Sequence, residues 1–293
     1  MPAQPSSSAG PFVLDPAPPE PLAGPVVDNH THLDHARRGD DPFPVAEAIA
    51  AAGAVGVTRM VQIGCDPESA RWTVQAVEQH PELLGGVALH PTEASRIATA
   101  TGDSGLAEQF AEIERLAAHP RVRVIGETGL DHYWVSPDDE TGRAAQVESF
   151  RRHIDLAKRT GKVLQIHDRD AHEEVLRVLA EEGAPERTVF HSFSGDADLA
   201  RRCADQGWYL SFSGTVTFKN AAAVRQALAA VPPGQVLVET DAPYLTPHPH
   251  RGRRNAGYLM PITVRCIADT LGLSEQAAAT QLNVTAELLY GPW

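Results

Sequence analysis

Short apolar runs alternate with longer helix-like stretches along most of the chain. Eight apolar runs predict strands, at residues 26–28, 59–63, 86–89, 122–125, 163–166, 188–190, 208–212 and 236–238. Helical patterns lie between and after them, at residues 44–52, 68–80, 106–118, 146–159, 171–181, 197–206, 221–230, 260–271 and 274–290. Gly or Pro stands at most junctions, for example at Gly53, Pro81 and Pro120. The pattern therefore predicts strands that alternate regularly with helices.

Apolar strands that alternate with helices are typical of a parallel sheet with both faces covered. Eight such units in a chain of 293 residues favour a closed (β/α)8 barrel, the TIM-type α/β fold, over an open sheet. We expect one domain over residues 26–293, with neither a second domain nor an internal repeat. Residues 1–25 hold eight prolines together with Ser, Ala and Gly, and this composition predicts a disordered tail.

The composition narrows the class of protein. A net charge of −13 argues against an extended nucleic-acid footprint, although a phosphate substrate can still bind at a local site. The basic segment at residues 250–255 is either a solvated loop or a phosphate contact. Three widely spaced cysteines, Cys65, Cys203 and Cys266, indicate a reducing, cytoplasmic location. We expect no membrane span, since no stretch approaches the roughly eighteen consecutive apolar residues that a span needs, and the N-terminus lacks the features of a secretory signal.

Six side chains of metal-binding type stand at the ends of predicted strands. They are His30, His32, Glu127, His167, His191 and Asp241. The carboxyl ends of the strands in a parallel barrel meet at one rim, so these side chains are expected to converge. His30 and His32 are two residues apart and can face the same ion, and the two oxygens of Glu127 can bridge two ions. The ligand types suit Zn²⁺, Mn²⁺, Co²⁺ or Fe²⁺, and Mg²⁺ less well.

Each of these residues also has an ordinary structural interpretation when it is taken alone. A strand-end histidine is commonly a hydrogen-bonded structural residue, and a strand-end aspartate commonly caps a helix. Their joint occurrence favours a metal site. His90 ends the third predicted strand and could contact substrate or be structural, whereas Asp131 and Glu239 could orient ligand imidazoles. The motifs of serine hydrolases, P-loop kinases and dinucleotide-binding dehydrogenases do not occur in a credible context.

Five ordered blocks make the chain resemble the TatD-like metal-dependent deoxyribonucleases, a family of the amidohydrolase superfamily. The blocks are residues 27–34 (VDNHTHLD), 126–131 (GETGLD), 165–167 (QIH), 191–195 (HSFSG) and 239–245 (ETDAPYL). The resemblance implies a TIM-type barrel with a two-metal centre at its C-terminal rim. It further implies the ligand sets: His30, His32 and Asp241 for one ion, His167 and His191 for the other, and Glu127 as the bridge.

The chain departs from the pattern of this family at three places. Thr92 stands where the family often has a second histidine after a His-Pro pair. Residues 254–257 read Arg-Asn-Ala-Gly, where the family commonly has Arg-Asn-x-Pro. The proline-rich N-terminus is the third departure. The first two lie where substrate phosphate or base is expected, so they bear on substrate preference and not on metal binding.

The inferred centre and the resemblance together predict metal-dependent hydrolysis of DNA phosphodiester bonds. Asp241, as the acceptor of a proton from water, and Glu127 are the predicted catalytic residues, and His90 and Arg254 are the predicted phosphate contacts. Two divalent ions (Zn²⁺, Mn²⁺ or Mg²⁺) are the expected cofactors. A 3′–5′ exonuclease on single-stranded or frayed DNA ends is expected, as a monomer or weak oligomer. Two alternatives stay open, namely an ester or amide hydrolase such as a D-aminoacyl-tRNA deacylase, and a non-catalytic scaffold.

Overall fold

The computed structural model describes residues 13–37 and 39–293. Eight parallel strands form one sheet in chain order. They are β1 (Val26–Thr31), β2 (Val57–Gly64), β3 (Leu83–Val87), β4 (Val122–Asp131), β5 (Val163–Arg169), β6 (Thr188–Phe190), β7 (Tyr209–Phe212) and β8 (Val236–Val238). The α-helices are α1 (Val45–Ala54), α2 (Pro67–Gln79), α3 (Pro91–Ala117), α4 (Glu140–Thr160), α5 (His172–Glu182), α6 (Ala197–Asp205), α7 (Ala222–Ala230), α8 (Met260–Leu271) and α9 (Glu275–Tyr290). The predicted TIM-type barrel is confirmed.

The sheet closes into a barrel through the segment that follows β8. The backbone N–H of Asp241 donates to the carbonyl of His30 at 2.9 Å, and the N–H of His32 donates to the carbonyl of Ala242 at 2.8 Å. The buried carboxylate of Asp28 joins this seam, because it accepts the N–H of Thr240 at 2.9 Å and its hydroxyl at 2.6 Å. The closing seam therefore lies at the carboxyl end of β1, beside three of the predicted ligands.

Two apolar layers hold the barrel together, because alternate residues of each strand point to opposite faces. The inner layer consists of Val27, Val61, Ile63, Leu84, Val124, Val163, Val189 and Leu237, packed with Ala286, Leu289 and Tyr290 of α9. The outer layer packs the strands against the surrounding helices. Glu287 of α9 pairs with Arg59, near the start of β2, at 2.6 Å. Helix α9 thus covers the amino end of the barrel and leaves the carboxyl rim accessible.

Helix α3 is longer than the sequence pattern predicts. The predicted helix begins at residue 106, whereas α3 begins at Pro91 and contains a non-helical Gly102 (φ 69°) that separates two helical segments. Proline favours the first position of a helix, where its missing N–H would have no partner, and the His90 side chain caps this end by accepting the N–H of Thr92. Turn-forming residues at positions 101–105 interrupt the helical pattern of the sequence, so the first helical segment of α3 was not predicted.

None of the helices in the described part of the chain combines the length and hydropathy needed to span a bilayer.

The structure differs from the predicted disordered tail at residues 13–25, which lie against the barrel. The N–H of Leu22 donates to the carbonyl of Val55 at 3.0 Å, and the N–H of Ala23 donates to Glu275 at 2.8 Å. Leu14 and Leu22 also pack against the outer apolar layer. These contacts contribute favourable free energy that offsets the loss of conformational entropy on ordering this segment, a contribution that the proline-rich composition does not indicate. Residues 1–12 lie outside the described residues, and disorder there stays a prediction.

Candidate metal centre

The six predicted ligands converge at the carboxyl rim of the barrel. The Nε2 atoms of His30 and His32 lie 3.1 Å apart. Oε1 of Glu127 lies 3.4 Å from each of these nitrogens, and Oδ1 of Asp241 lies 3.7 Å from His30 Nε2 and 3.3 Å from His32 Nε2. We call these four atoms the first donor group.

A second donor group faces the other oxygen of Glu127. Oε2 of Glu127 lies 3.0 Å from Nδ1 of His167 and 2.9 Å from Nε2 of His191, and these two nitrogens are 3.5 Å apart. The second donor group therefore consists of His167, His191 and Oε2 of Glu127. One carboxylate thus presents one oxygen to each group, which is the arrangement expected of a bridging ligand.

Two glycines allow β4 to place Glu127 in this position. A Cβ atom on Gly126 would lie 2.6 Å from the Cβ atom of Gln165, and a Cβ atom on Gly129 would lie 2.1 Å from the carbonyl oxygen of His167. Gly129 also has a φ of +137°, a conformation that residues with a side chain rarely adopt. The close approach of β4 to β5 therefore requires glycine on both sides of Glu127.

The loop that carries Asp241 is held by a buried asparagine. Asp241 has a φ of 54°, in the left-handed region that aspartate tolerates better than most residues. Nδ2 of Asn255 donates to the carbonyls of Thr240 and Tyr244 at 2.8 and 2.7 Å. Asn255 thus fixes the backbone on both sides of Asp241. This role could not be predicted from the sequence, because only the fold brings the two segments together.

Each ligand imidazole has an acceptor at its other ring nitrogen. The pairs are His30 Nδ1 with Gln165 Oε1 (2.8 Å), His32 Nδ1 with the Ile63 carbonyl (3.0 Å), His167 Nε2 with Asp131 Oδ2 (3.0 Å) and His191 Nδ1 with Glu239 Oε1 (3.1 Å). A proton donated to the acceptor fixes the tautomer and leaves the nitrogen in the donor group free to bind an ion. The predicted orienting contacts of Asp131 and Glu239 are present. Gln165 was missed, although its position two residues before His167 places it on the same face of β5.

The electrostatics of the centre favour ionised carboxylates. Burial opposes ionisation of Glu127, but the charges of His191 and His30 hold the pKa of this carboxyl well below its usual range. Burial likewise opposes a charge on His191, but the charges of Glu127 and Glu239 raise its pKa well above the usual value. A divalent ion must displace such protons from the imidazoles, so ion binding is expected to strengthen as the pH rises.

The donor set fits divalent metal ions. The donor atoms of His30, His32 and Glu127 lie within 4.8 Å of one another. Imidazole nitrogens and carboxylate oxygens are the ligand types that Zn²⁺, Mn²⁺ and related ions accept. The oriented ring nitrogens and the ionised carboxylates are therefore the chemistry that such ions require.

A cavity of about 700 Å³ leads from the rim to the centre, and Glu127, His167 and Asp241 lie in its wall. His90 also lines the cavity, with Nε2 3.4 Å from His167 Nδ1. Burial and the neighbouring charge of His167 lower the pKa of His90 to about 3, so this imidazole is neutral. Its Nδ1 accepts the N–H of Thr92 at 3.2 Å, which leaves the proton on Nε2. His90 is therefore suited to donate a hydrogen bond into the cavity, and Thr92 orients it.

Arg254 does not join the other predicted site residues. Its Nε lies 3.4 Å from Oδ2 of Asp40, and its Nη2 donates to the carbonyl of Asp41. It lines a smaller depression beside Phe43 rather than the cavity at the centre. Because its guanidinium is engaged with the segment that follows β1, its placement does not support the predicted phosphate contact.

Cys65 lies beside the centre, a position that its spacing from the other cysteines in the sequence does not indicate. Its thiol donates to Oε1 of Glu127 at 3.4 Å, and its sulfur lies 3.8 Å from Nδ1 of His32. Burial raises the pKa of this thiol to about 12, so it acts as a hydrogen-bond donor to the carboxylate. The strand-end position of Cys65, directly after β2, is the signal that could have revealed it.

Comparison with known proteins identifies the family of this chain. The sequence model of the family described as TatD related DNase matches residues 27–291. The chain belongs to this family. It is 47% identical over 267 residues to the uncharacterized metal-dependent hydrolase TatD of Mycobacterium tuberculosis, covering 91% of this chain and 98% of that protein. It is 36% identical over 264 residues to the uncharacterized metal-dependent hydrolase YabD of Bacillus subtilis, covering 89% and 96% of the two chains.

The fold of the TatD-related DNases is also found among solved structures. The crystal structure of the TatD homolog YJJV from Escherichia coli superposes with a TM-score of 0.78 at 22% identity, covering 92% of this chain and 98% of that chain. The family resemblance inferred from the five sequence blocks is therefore confirmed. Membership of this family, together with the donor groups, makes the chain a metal-dependent hydrolase.

Proposed function

We propose that the protein hydrolyses DNA phosphodiester bonds with two divalent ions, one in each donor group. The observation that carries this proposal is the position of Glu127, whose Oε1 lies 3.4 Å from two imidazoles and whose Oε2 lies 3.0 and 2.9 Å from two others. A carboxylate between two ions roughly 3.5–4 Å apart is typical of two-metal centres that cleave phosphoesters. The family description of TatD-related DNases supports the same substrate class.

The residues around the donor groups have complementary roles in this reaction. The ions would supply a water activated near neutral pH and Lewis-acid stabilisation of charge on the phosphate oxygens. Asp241 lines the cavity, and its side chain is 14% exposed, so its carboxylate can accept a proton from a water in the first donor group. The protonated Nε2 of His90 can donate to a phosphate oxygen in the second donor group.

The proposed substrate is a single-stranded or frayed DNA end, degraded from 3′ to 5′. Glu127 is 4% exposed and lies at the base of the cavity, so a scissile phosphate must enter a recess. A flexible end can do so, whereas an intact duplex would bring a continuous array of phosphates against a protein of net charge −13. A cytoplasmic location and a monomeric or weakly oligomeric state stay predictions.

The test is a cleavage assay on metal-stripped protein resupplied with Mg²⁺, Mn²⁺ or Zn²⁺. Single-stranded, frayed and closed circular duplex DNA would be offered, with label at either end of the linear strands. We expect metal-dependent shortening from the 3′ end of linear strands and little cleavage of closed circles. Glu127→Ala should abolish this activity, because it removes a ligand from both donor groups. Glu112→Ala is the matched control, since it removes a carboxylate from an ion pair with Arg115 on the surface of α3.

Near wild-type turnover in Glu127→Ala would contradict the two-metal proposal. Cleavage of closed circles at the same rate as linear strands would contradict the preference for ends. If metal-loaded protein cleaves no DNA, the same centre would instead be tested on p-nitrophenyl acetate and D-aminoacyl-tRNA, since an activated water attacks a carbonyl carbon as well as phosphorus.

A further inference from the structure

We propose that Tyr133, Trp134 and Arg169 form a platform on which a nucleobase of the substrate stacks, next to the metal centre. This inference rests on the proposed function and specifies how the cavity holds a flexible strand. Tyr133 is 57% exposed and Trp134 is 67% exposed, whereas large aromatic side chains normally have most of their surface buried. Both Trp134 and Arg169 line the cavity that leads to the donor groups.

The guanidinium of Arg169 completes the platform. Its central carbon lies 4.0 Å from the centroid of the Tyr133 ring and 5.7 Å from that of the Trp134 ring. Within residues 13–37 and 39–293, this guanidinium makes no ion pair with a carboxylate. An exposed cation that is held by aromatic faces, at the mouth of a cavity in an acidic protein, is available to a phosphate or to a base.

The two rings are held at right angles. Their centroids lie 4.9 Å apart with an interplanar angle of 90°, so Tyr133 and Trp134 meet edge to face and are not stacked on each other. The face of Tyr133 carries Arg169, and the indole of Trp134 borders the cavity. Stacking on an aromatic face accepts every base, which suits an enzyme that degrades strands of mixed sequence.

The carboxylate of Asp131 connects this platform to the metal centre. Oδ1 of Asp131 accepts the backbone N–H groups of Tyr133 and Trp134 at 3.0 and 2.7 Å. Oδ2 of the same residue lies 3.0 Å from Nε2 of His167, a member of the second donor group. The strand ends are also joined, because the N–H of His132 donates to the carbonyl of Arg169 at 2.9 Å. The position of the platform relative to the second donor group is therefore fixed, and a base stacked there belongs to a nucleotide close to the scissile phosphate.

The experiment compares binding of two single-stranded oligonucleotides with the same charge. One carries bases throughout, and the other has abasic tetrahydrofuran units in place of the three nucleotides at each end. Both have hydrolysis-resistant phosphorothioate linkages and a central fluorophore, and their affinity for the Mn²⁺-loaded full chain is read by fluorescence anisotropy. Trp134→Ala should weaken binding of the strand with bases about tenfold, and should leave binding of the abasic strand within twofold, because stacking needs the base.

Two further variants and two controls sharpen this test. Trp134→Phe keeps an aromatic face and should retain most of the affinity, whereas Arg169→Ala should weaken binding of the strand with bases. Arg59→Ala and Trp293→Ala are the matched controls, because Arg59 lies 5.4 Å from the Trp293 ring centroid at the opposite, amino end of the barrel. These controls should bind both strands as the wild type does.

Each outcome decides the inference separately from the proposed function. Equal losses for both strands in Trp134→Ala, or no loss for either, would overturn the platform. A loss confined to the strand with bases establishes it, even if ordinary DNA is not cleaved by the loaded enzyme; in that case the proposed nuclease activity fails and the platform stands. If the loaded enzyme cleaves ordinary DNA and Trp134→Ala binds both strands with unchanged affinity, the proposed nuclease activity stands and the platform is overturned.

Discussion

The buried His153 should make the protein less stable in mild acid. It lies on α4 and is fully buried. Its Nε2 accepts the backbone N–H of Leu89 at 3.2 Å, while its Nδ1 lies 2.7 Å from the carbonyl of Ser149. Both ring nitrogens therefore have partners that suit only the neutral imidazole, since a second ring proton would face the N–H of Leu89. Burial lowers the pKa of His153 from 6.5 to about 4.

The sign and the size of the effect follow from this shift. The unfolded chain takes up a proton near pH 6.5, whereas the folded chain does so only near pH 4. The stability that His153 contributes is therefore complete above the unfolded pKa and declines as the pH falls toward the folded pKa. One pH unit below 6.5, the loss is about 1.4 kcal/mol, and over the whole interval it approaches roughly 3 kcal/mol.

The assay is urea unfolding at pH 7.5 and 5.5, in chelator, for wild-type protein and for His153→Gln. Glutamine keeps one acceptor and one donor but does not titrate, so the difference in unfolding free energy between the two pH values should shrink by about 1.4 kcal/mol. Other titrating groups cancel in this comparison. His80→Gln, at the partly exposed end of α2, controls for the loss of a histidine as such. If His153→Gln keeps the full pH dependence of the wild type, the reasoning is refuted.

Two further predictions concern the centre and its substrate. Glu239→Gln weakens the contact to His191 Nδ1 (3.1 Å), so metal affinity should fall about 10–100-fold in a chelator competition; unchanged affinity would show that Glu239 does not orient the imidazole. The affinity for oligonucleotides should depend only weakly on salt, with a slope of roughly −1 in a plot of the logarithm of the binding constant against the logarithm of the salt concentration. The reason is that Arg169 is the cation that we place on the strand, and each neutralised phosphate of a single strand contributes about −0.7 to this slope. A slope steeper than about −4 would instead indicate an extended basic contact surface.

The barrel and the convergence of the six side chains of metal-binding type could be predicted because both follow from local patterns. Strand periodicity placed His30 and His32 near one another, and the strand-end positions of His167 and Asp241 brought them to the same rim. The first segment of α3 was missed, because its pattern ends at Gly102 and a run of turn-forming residues. That segment begins directly after His90, so its omission also hid how Thr92 orients this imidazole.

Other features depend on contacts between distant segments, and no local pattern indicates them. Arg254 stands in a basic segment, yet the fold pairs it with Asp40 and places it outside the lining of the cavity at the centre. Trp134 is of a residue type that is usually largely buried, yet the turn after β4 leaves it exposed beside the cavity. The sequence therefore predicts which side chains converge at the carboxyl rim better than it predicts where the fold places the side chains around the cavity.

This difference has a structural cause in the seam that closes the barrel. The backbone bond from Asp241 to His30 both closes the sheet and joins two members of the first donor group, and the carboxylate of Asp28 on the same seam holds Thr240. Movement of these ligands would open the barrel, so their positions are tied to the stability of the fold. The platform of Tyr133, Trp134 and Arg169 lies outside this seam, and the carboxylate of Asp131 and strand β5 connect it to the centre. Substitutions on the platform can therefore change how a strand is held without altering the metal centre.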